Sequence, residues 1–250
     1  MSTDLEGKTV IITGACGVIG RSFASALGAA GMNVVAVDLT NSEQLAAELS
    51  ETGVRAIGVD ADVASVAATE AVAAATLAEF GRIDVLVNNA AFFRAVTRSS
   101  FEDIDPDEWD TCMAVNVRGP WLCARAVAPA MRRQRSGAII NISSNTVWKG
   151  VPTFLHYVTS KSASLGFTRS LARELGDYGI TVNAVAPDFI PDDSLHKHQP
   201  GHDDFVVSQR AIKRTSVPDD MVGVVLFLAS SQAEFITGQS FLVNGGAHMQ

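Results

Sequence analysis

The segment HYVTSK places Tyr157 and Lys161 four residues apart, in a chain that has only two tyrosines. On a helix, two residues at this spacing share one face, with their Cβ atoms about 6 Å apart. A phenol has an ordinary pKa of about 10, so it is a poor acid or base near neutral pH unless its anion is stabilised. A lysine ammonium one turn away would supply that stabilisation. The pair is therefore a candidate proton-transfer centre.

A glycine-rich turn, TGACGVIG at residues 13–20, follows the first predicted strand and opens a predicted helix. Glycines let the chain turn tightly and let a pyrophosphate approach the helix N-terminus, where free N–H groups and the helix dipole favour an anion. A tight turn without a ligand is the alternative interpretation. The candidate contacts to a dinucleotide are Gly14, Cys16, Gly17, Val18, Ile19 and Gly20.

Asp38 ends the second predicted strand, 18 residues after Gly20. A carboxylate at this place can accept hydrogen bonds from an adenosine ribose with a free 2′-hydroxyl, and it would repel a 2′-phosphate. The neighbouring positions that could receive such a phosphate are Cys16 and Leu39, and neither is basic. The sequence therefore predicts NAD rather than NADP, although Asp38 could also simply end a strand.

The elements that must position these residues are visible as short apolar runs separated by helical stretches. Most runs are apolar on successive residues, as expected of parallel strands that are covered by helices on both faces. We predict one domain over residues 1–250 with a doubly wound α/β fold, and a substrate loop or lid at about 187–215. The predicted strands are KTVIIT (8–13), NVVAVD (33–38), RAIGVD (55–60), IDVLVN (83–88), GAIINIS (137–143), ITVNAVA (180–186) and SFLVN (240–244).

Composition argues against several classes of partner and location. The net charge of −8 disfavours nucleic acid and anionic membranes, which attract clustered positive charge. The three cysteines are scattered, the N-terminal segment lacks a signal-peptide pattern, and no apolar run approaches a membrane span. We therefore expect a cytoplasmic protein that acts on a small molecule.

Taken in order, these motifs resemble those of the short-chain dehydrogenase/reductase family, in its branch of about this chain length. The resemblance implies a single-domain Rossmann fold with a seven-stranded parallel sheet, a homotetramer, and reversible hydride transfer between NAD and an alcohol or carbonyl compound. The motifs that carry it are TGACGVIG, Asp38, DV at 62–63, NNAA at 88–91, Asn116, Ser144, Tyr157 with Lys161, and ITGQSFLVNGG near the C-terminus.

The resemblance also implies a role for each of four catalytic residues. Tyr157 would exchange a proton with the alcohol or carbonyl oxygen, and Lys161 would lower the pKa of Tyr157 and hold the nicotinamide ribose. The positive charge of the oxidised nicotinamide would lower that pKa further. Ser144 would bind the substrate oxygen. Asn116 would anchor a water that links Lys161 to solvent.

Further contacts follow from the same resemblance. The apolar and aromatic residues near the catalytic positions suit a neutral secondary alcohol or ketone, including an aromatic one. The segment SNTVWKGVPTFLHY is similar to NAD-dependent members that act on aryl alcohols and pyridoxal. Besides Tyr157 and Lys161, the implied cofactor contacts are Asp62, Val63, Asn89, Ala90, Ala91, Pro187 and Ile190. The implied substrate contacts are Ser144, Tyr157, Phe93, Thr146, Trp148 and His156.

The segment PDFIPD at 187–192 departs from the family pattern. Asp188 stands where glycine is usual, and Asp192 stands where a threonine would bind the nicotinamide carboxamide. The histidines that follow, His196, His198 and His202, could suggest zinc. The family reaction needs no metal, so we expect a solvated loop without a metal site.

Two other functions remain open. One is a 3-oxoacyl-[acyl-carrier-protein] reductase, although such enzymes commonly use NADPH and bind an acidic carrier, which Asp38 and the acidic surface disfavour. The other is a non-catalytic dinucleotide sensor, for which a complete set of proton-relay residues would be unnecessary. Loss of turnover in Tyr157→Phe would separate an enzyme from a sensor.

Overall fold

A computed structural model of the chain describes residues 4–191 and 202–249. Among them, seven strands form one parallel sheet in the order β3-β2-β1-β4-β5-β6-β7. The fold and the place of each strand are as predicted from the apolar runs. The strands are β1 Thr9–Thr13, β2 Asn33–Asp38, β3 Ala56–Asp60, β4 Val85–Asn88, β5 Gly137–Ile142, β6 Ile180–Pro187 and β7 Ser240–Val243.

Helices cover both faces of the sheet. They are α1 Val18–Ala29, α2 Ser42–Glu51, α3 Val66–Phe80, α4 Pro106–Met113, α5 Gly119–Gln134, α6 Thr146–Lys149, α7 Leu155–Leu175, α8 His202–Gln209 and α9 Val222–Ala229. A π-helical turn, Ala114–Arg118, joins α4 to α5. Short 3-10 turns lie at Phe101–Asp103, Gly176–Tyr178, Pro218–Met221 and Ser231–Ala233. None of the helices in the described part combines the length and apolar composition needed to cross a bilayer.

Successive residues of the central strands enter two different hydrophobic cores. In β1, Val10 and Ile12 pack in the core that contains Phe23 of α1. Ile11, between them, packs in the opposite core, which contains Val127 of α5. Side chains alternate between the faces of a strand, so a strand with a core on each face must be apolar at every position. This explains the continuous runs in the sequence.

The strand order reverses between the neighbouring strands β1 and β4: β2 and β3 follow on the outer side of β1, and β5, β6 and β7 follow on the outer side of β4. Parallel strands place all their carboxyl ends at one edge, and ligands of such sheets bind where the order reverses. The glycine-rich turn after β1 therefore opens at a crevice. At the other end of the order, β7 is an edge strand, as expected, and the homotetramer remains a prediction.

Candidate functional site

A cleft of about 500 Å³ lies at the carboxyl edge of the sheet, above the point where the strand order reverses. It brings together most of the residues predicted to bind a dinucleotide: Gly14, Cys16, Gly17, Val18, Ile19, Gly20, Asp38, Leu39, Asp62, Val63, Asn89, Ala90, Ala91 and Ile190. The sequence prediction omitted other lining residues, including Thr40, Asn41, Ala61 and Val115. Thr40 and Asn41 follow β2 directly, so their place after a strand end could have identified them.

The glycine turn has the shape that a pyrophosphate requires. Gly14 has a φ of +64°, and a Cβ there would lie 2.8 Å from the Cα of Ala90. A Cβ at Gly20 would lie 2.1 Å from the carbonyl oxygen of Gly14. Helix α1 begins after Gly17 without a side-chain cap, which leaves its first N–H groups for an anion. These features fit the phosphates of a dinucleotide.

Asp38 is held at the end of β2 by backbone N–H groups of the same cleft. Its Oδ2 accepts a hydrogen bond from the Cys16 amide at 2.9 Å, and its Oδ1 accepts one from the Leu39 amide at 2.8 Å. Arg21 donates to the carbonyl of Cys16 and forms an ion pair with Glu48 at 2.6 Å. The guanidinium of Arg21, which lies near this part of the cleft, is thus paired with the carboxylate of Glu48.

Asn89 lines the cleft, but its side chain braces the glycine turn. Its Nδ2 donates to the carbonyls of Thr13 and Gly14 at 3.0 and 2.9 Å. The hydroxyl of Thr13 accepts from the amides of Asn89 and Ala90 at 3.0 and 3.1 Å. Thr13 is therefore a positioning residue that the sequence prediction missed. Since it is the first residue of the TGACGVIG motif, its location was available from the sequence, although its partners were not.

Ser144 and Tyr157 meet because β5 ends next to the first turn of α7. The Ser144 hydroxyl accepts hydrogen bonds from the amide and the hydroxyl of Thr146 at 3.2 and 2.9 Å. Burial raises the pKa of Tyr157 above its usual range, and a hydrogen bond with Ser144 offsets part of that increase. The phenol is therefore protonated at neutral pH in the protein alone.

Lys161 lies one turn further along α7 and is 4% exposed. Its Nζ donates to the carbonyl of Ile142 at 2.8 Å and lies 5.9 Å from the centre of the Tyr157 ring. Burial lowers the pKa of Lys161 to about 8. The protein's own groups do not give Tyr157 the lowered pKa that we predicted, because burial outweighs them. The positive charge of an oxidised nicotinamide is the other group that we predicted to lower the pKa of Tyr157.

Asn116 lies in the π-helical turn, a local geometry that is frequent at functional sites. Its Nδ2 donates to the carbonyl of Phe92 at 3.1 Å and to the hydroxyl of Ser160 on α7 at 2.9 Å, while its Oδ1 accepts from the Phe92 amide at 2.7 Å. A cavity of about 20 Å³, large enough for one water, is lined by Asn116 and Lys161. The predicted water link between these residues remains a prediction.

Aromatic rings surround the candidate catalytic tyrosine. Phe154 stacks on Tyr157 with ring centres 4.6 Å apart, and Phe93 lies 5.2 Å from Tyr157 and lines the cleft. Arg98 lies 4.6 Å above the Phe154 ring. The placement of Phe93 is consistent with the substrate contact predicted for it. Thr146 bonds to Ser144, and Trp148 lies in α6; their contacts with a substrate remain predictions.

His156 does not face the same space as Tyr157. Its side chain is 0% exposed, and its Nε2 lies 2.9 Å from Oε1 of Glu108 on α4. Successive residues of a helix point about 100° apart, so the residue before Tyr157 is turned toward the neighbouring helix. The structure therefore does not support a substrate contact for His156.

The turn after β6 forms with Asp188 at the position where the family pattern has glycine. The backbone of Asp188 does not adopt the left-handed region, so no glycine is needed there. Pro187 does not line the cleft; its carbonyl accepts a hydrogen bond from the Asn145 amide at 2.8 Å. Asp192, His196 and His198 lie outside the described residues, and His202 begins α8. The lid predicted at 187–215 thus remains a prediction.

Comparisons with known proteins agree with this geometry. A family model described as enoyl-(acyl carrier protein) reductase matches residues 14–248. A 3-oxoacyl-[acyl-carrier-protein] reductase of Staphylococcus epidermidis is 38% identical over 97% of this chain and 99% of its own. The short-chain reductase protein NovJ of Streptomyces niveus is 40% identical over 96% and 94% of the two chains. The crystal structure of a putative short-chain alcohol dehydrogenase from Sinorhizobium meliloti is 34% identical, with a TM-score of 0.89 over 98% of this chain and 97% of that one.

Proposed function

The chain belongs to the short-chain dehydrogenase/reductase family and is an oxidoreductase of the kind that uses a nicotinamide cofactor, and we propose that it reduces the ketone of a 3-oxoacyl thioester. The observation that carries this proposal is the cluster of Ser144, Tyr157 and Lys161 at the carboxyl edge of the sheet, beside the dinucleotide cleft. Relatives named as 3-oxoacyl reductases favour this substrate over the secondary alcohols that the sequence placed first.

The protonation state of Tyr157 suits the direction of reduction. When bound, a reduced nicotinamide supplies a hydride to the carbonyl carbon. Ser144 donates a hydrogen bond that orients the carbonyl oxygen. Tyr157, which burial keeps protonated, then transfers its proton to that oxygen as negative charge develops there. The product is the alcohol, and Tyr157 is left as an anion.

Lys161 can return the proton. With its pKa lowered to about 8, its ammonium is mostly protonated at neutral pH yet gives up a proton more readily than an exposed lysine. It lies close to the Tyr157 ring and lines the small cavity next to Asn116. We assign to Asn116 the role of holding a water in that cavity, through which Lys161 exchanges protons with solvent.

We propose NAD as the cofactor. The Asp38 carboxylate faces the part of the cleft where an adenosine ribose would lie, and Arg21 is paired with Glu48. A 2′-phosphate would therefore meet a negative charge without a free cation from Arg21, whereas ribose hydroxyls could donate to Asp38.

A second candidate substrate is an aryl ketone or the corresponding secondary alcohol. Phe93 and Phe154 pack against Tyr157 at ring distances of 5.2 and 4.6 Å, which is typical of favourable aromatic contacts. An aromatic substrate could add a ring to this group. The carboxylate-rich composition, with a net charge of −8, also makes docking of an acidic carrier protein less favourable.

The decisive experiment follows the absorbance of the reduced cofactor with purified protein. NADH and NADPH are each combined with a 3-oxoacyl thioester of coenzyme A, with the same acyl group on a carrier protein, and with an aryl ketone. We expect the highest kcat/KM with NADH and a 3-oxoacyl thioester. A higher value for the aryl ketone would select the second candidate. Turnover that is equal in Tyr157→Phe would contradict the mechanism for both.

A further inference from the structure

Asp188 is a buried carboxylate that several elements of the carboxyl edge share. Its side chain is 5% exposed. Oδ1 accepts from Nζ of Lys149 at 2.7 Å and from Nδ2 of Asn145 at 3.0 Å, and Oδ2 accepts from Nε of Arg210 at 2.9 Å. Lys149 ends α6, Arg210 follows α8, and Asp188 follows β6. One side chain thus joins three segments.

Arg210 extends this contact to the backbone. It is 2% exposed, and it donates to the carbonyl of Phe189 at 2.9 Å and to that of Arg214 at 2.7 Å. The first of these bonds fixes the chain between Asp188 and Ile190. Since Ile190 lines the dinucleotide cleft, the pair of Asp188 and Arg210 sets the position of one wall of that cleft.

Asn145 extends the contact in the other direction, toward Ser144. Its amide donates to the carbonyl of Pro187 at 2.8 Å, and its side chain donates to Asp188. Its Oδ1 accepts from Asn244 at 3.0 Å. Because Asn145 directly follows Ser144, these bonds hold the chain at Ser144 against the turn after β6.

The opposite charges of Asp188 and its two cationic partners stabilise this arrangement. Burial alone would raise the pKa of Asp188, but the hydrogen bonds from Lys149 and Asn145, followed by that from Arg210, lower it below its usual value. The carboxylate is therefore charged at neutral pH. A buried charge that loses a partner is left uncompensated, so each of these bonds resists displacement.

We propose that Asp188 is a positioning residue for hydride transfer, which fixes the Ser144 hydroxyl relative to the cleft wall at Ile190. This inference depends on the proposed function, because Ser144 would hold the substrate oxygen and Ile190 would border the cofactor. A shift of about 1 Å between reacting groups can lower a rate about 100-fold. The family pattern has glycine at this place, so the resemblance itself assigns no such role to position 188.

The test compares Asp188→Asn with Asp84→Asn. Asp84 is a matched control because it is also buried and paired with an arginine, Arg82 at 2.7 Å, but lies before β4 at the opposite edge of the sheet. We expect kcat for the reduction to fall about 10- to 100-fold in Asp188→Asn, with little change in KM. We expect Asp84→Asn to keep the wild-type kcat at temperatures where it is folded.

Hydrogen exchange supplies a measurement that needs no turnover. Asp188→Asn should speed amide exchange in peptides that cover 142–150 and 184–191, while Asp84→Asn should leave those peptides unchanged. If Asp188→Asn does not fold, Lys149→Met removes the more exposed of its two cations and should produce the same two effects at smaller size.

Three outcomes are distinct. Wild-type kcat together with unchanged exchange at both peptides in folded Asp188→Asn would overturn the inference. A kcat loss equal to that in Asp84→Asn would also overturn it, because the effect would then follow from lost stability. A wild-type protein that reduces no ketone would contradict the proposed function, and in that case the exchange data alone decide whether Asp188 positions the two segments.

Discussion

Each edge of the sheet buries an aspartate that is paired with an arginine, but the two pairs have different neighbours. At the amino edge, Asp84 accepts from Nε and Nη2 of Arg82, both at 2.7 Å, and from the Thr9 amide at 2.8 Å. These bonds connect the segments at the starts of β1 and β4. At the carboxyl edge, the bonds of Asp188 lead to the neighbours of Ser144 and Ile190.

The two edges therefore contain similar pairs of aspartate and arginine, but the pairs have different consequences. The Asp84–Arg82 pair, whose arginine is about half exposed, lies at the edge opposite to the residues proposed to react, so we expect it to affect stability rather than turnover. At the carboxyl edge, the Asp188–Arg210 pair is bonded to the neighbours of Ser144 and Ile190, on the same edge as the buried Tyr157 and Lys161. Substitutions at the carboxyl edge should thus change turnover, whereas those at the amino edge should change stability alone.

The largest effect is expected for Tyr157→Phe, which removes the proton donor. We expect kcat for ketone reduction to fall about 10²- to 10⁴-fold, the usual contribution of a positioned general acid. Steady-state kinetics with a saturating cofactor would measure it. The matched control is Tyr178→Phe, at the other tyrosine, which lies just before β6 at the amino edge. A similar loss in both variants would contradict the difference between the edges.

A smaller effect is expected in the pH dependence of stability. Lys161 titrates near 8 in the folded protein instead of at its ordinary 10.5, a difference of about 3 kcal/mol at most. Between pH 8 and pH 10.5 the folded state binds fewer protons than the unfolded state, so the free energy of unfolding rises with pH in this range. Burial of the Lys161 ammonium therefore destabilises the folded protein fully below pH 8, and this destabilisation disappears as the pH rises toward 10.5.

Lys161→Met removes that titration. At pH 7 the variant should be more stable than the wild type, and the difference should shrink steadily as the pH rises above 8. Urea unfolding at several pH values would measure it. Lys8→Met, at an exposed pair with Asp4, is the control for the loss of a lysine at the protein surface. A constant difference between Lys161→Met and the wild type would contradict the buried location of the ammonium.

A third effect concerns the cofactor. Asp38→Ser should raise the ratio of kcat/KM for NADPH to that for NADH by about tenfold or more, since relief of about 1.4 kcal/mol of repulsion already gives a factor of ten. Asp60→Ser is the control, because Asp60 ends β3 without lining the cleft. An unchanged ratio in Asp38→Ser would contradict the assignment of NAD.

The smallest effect on turnover is expected for Asp84→Asn. The variant should lose several degrees in Tm, since the buried carboxylate that accepts hydrogen bonds from Arg82 and from the Thr9 amide is lost, and each 1 kcal/mol shifts Tm by about 2–4 °C in a chain of this size. Its kcat should equal that of the wild type below the transition. Differential scanning calorimetry with kinetics at 25 °C would check both. A large loss of kcat here would remove the distinction between the two edges.

Much of the fold and some of the site could be predicted from the sequence because the signals are local. The continuous apolar runs predicted all the strands of the described sheet, and the order of motifs predicted most of the residues that line the cleft at its carboxyl edge. Asp38 and the glycine turn follow strands directly, and a strand end fixes the edge at which such residues lie. Tyr157 and Lys161 share a helix face because of their spacing alone.

Only the tertiary structure decided the hydrogen-bond partners and the protonation states of the site residues. His156 bonds Glu108, 48 residues away, and Asn116 bonds Ser160, 44 residues away, so no local pattern reveals either contact. The pKa of Tyr157 is raised because neighbouring elements bury it, whereas its spacing from Lys161 suggested the opposite. Asp188 gains its role from residues on α6 and after α8. Spacing fixes which side chains share an element, but burial and charge depend on how the elements pack.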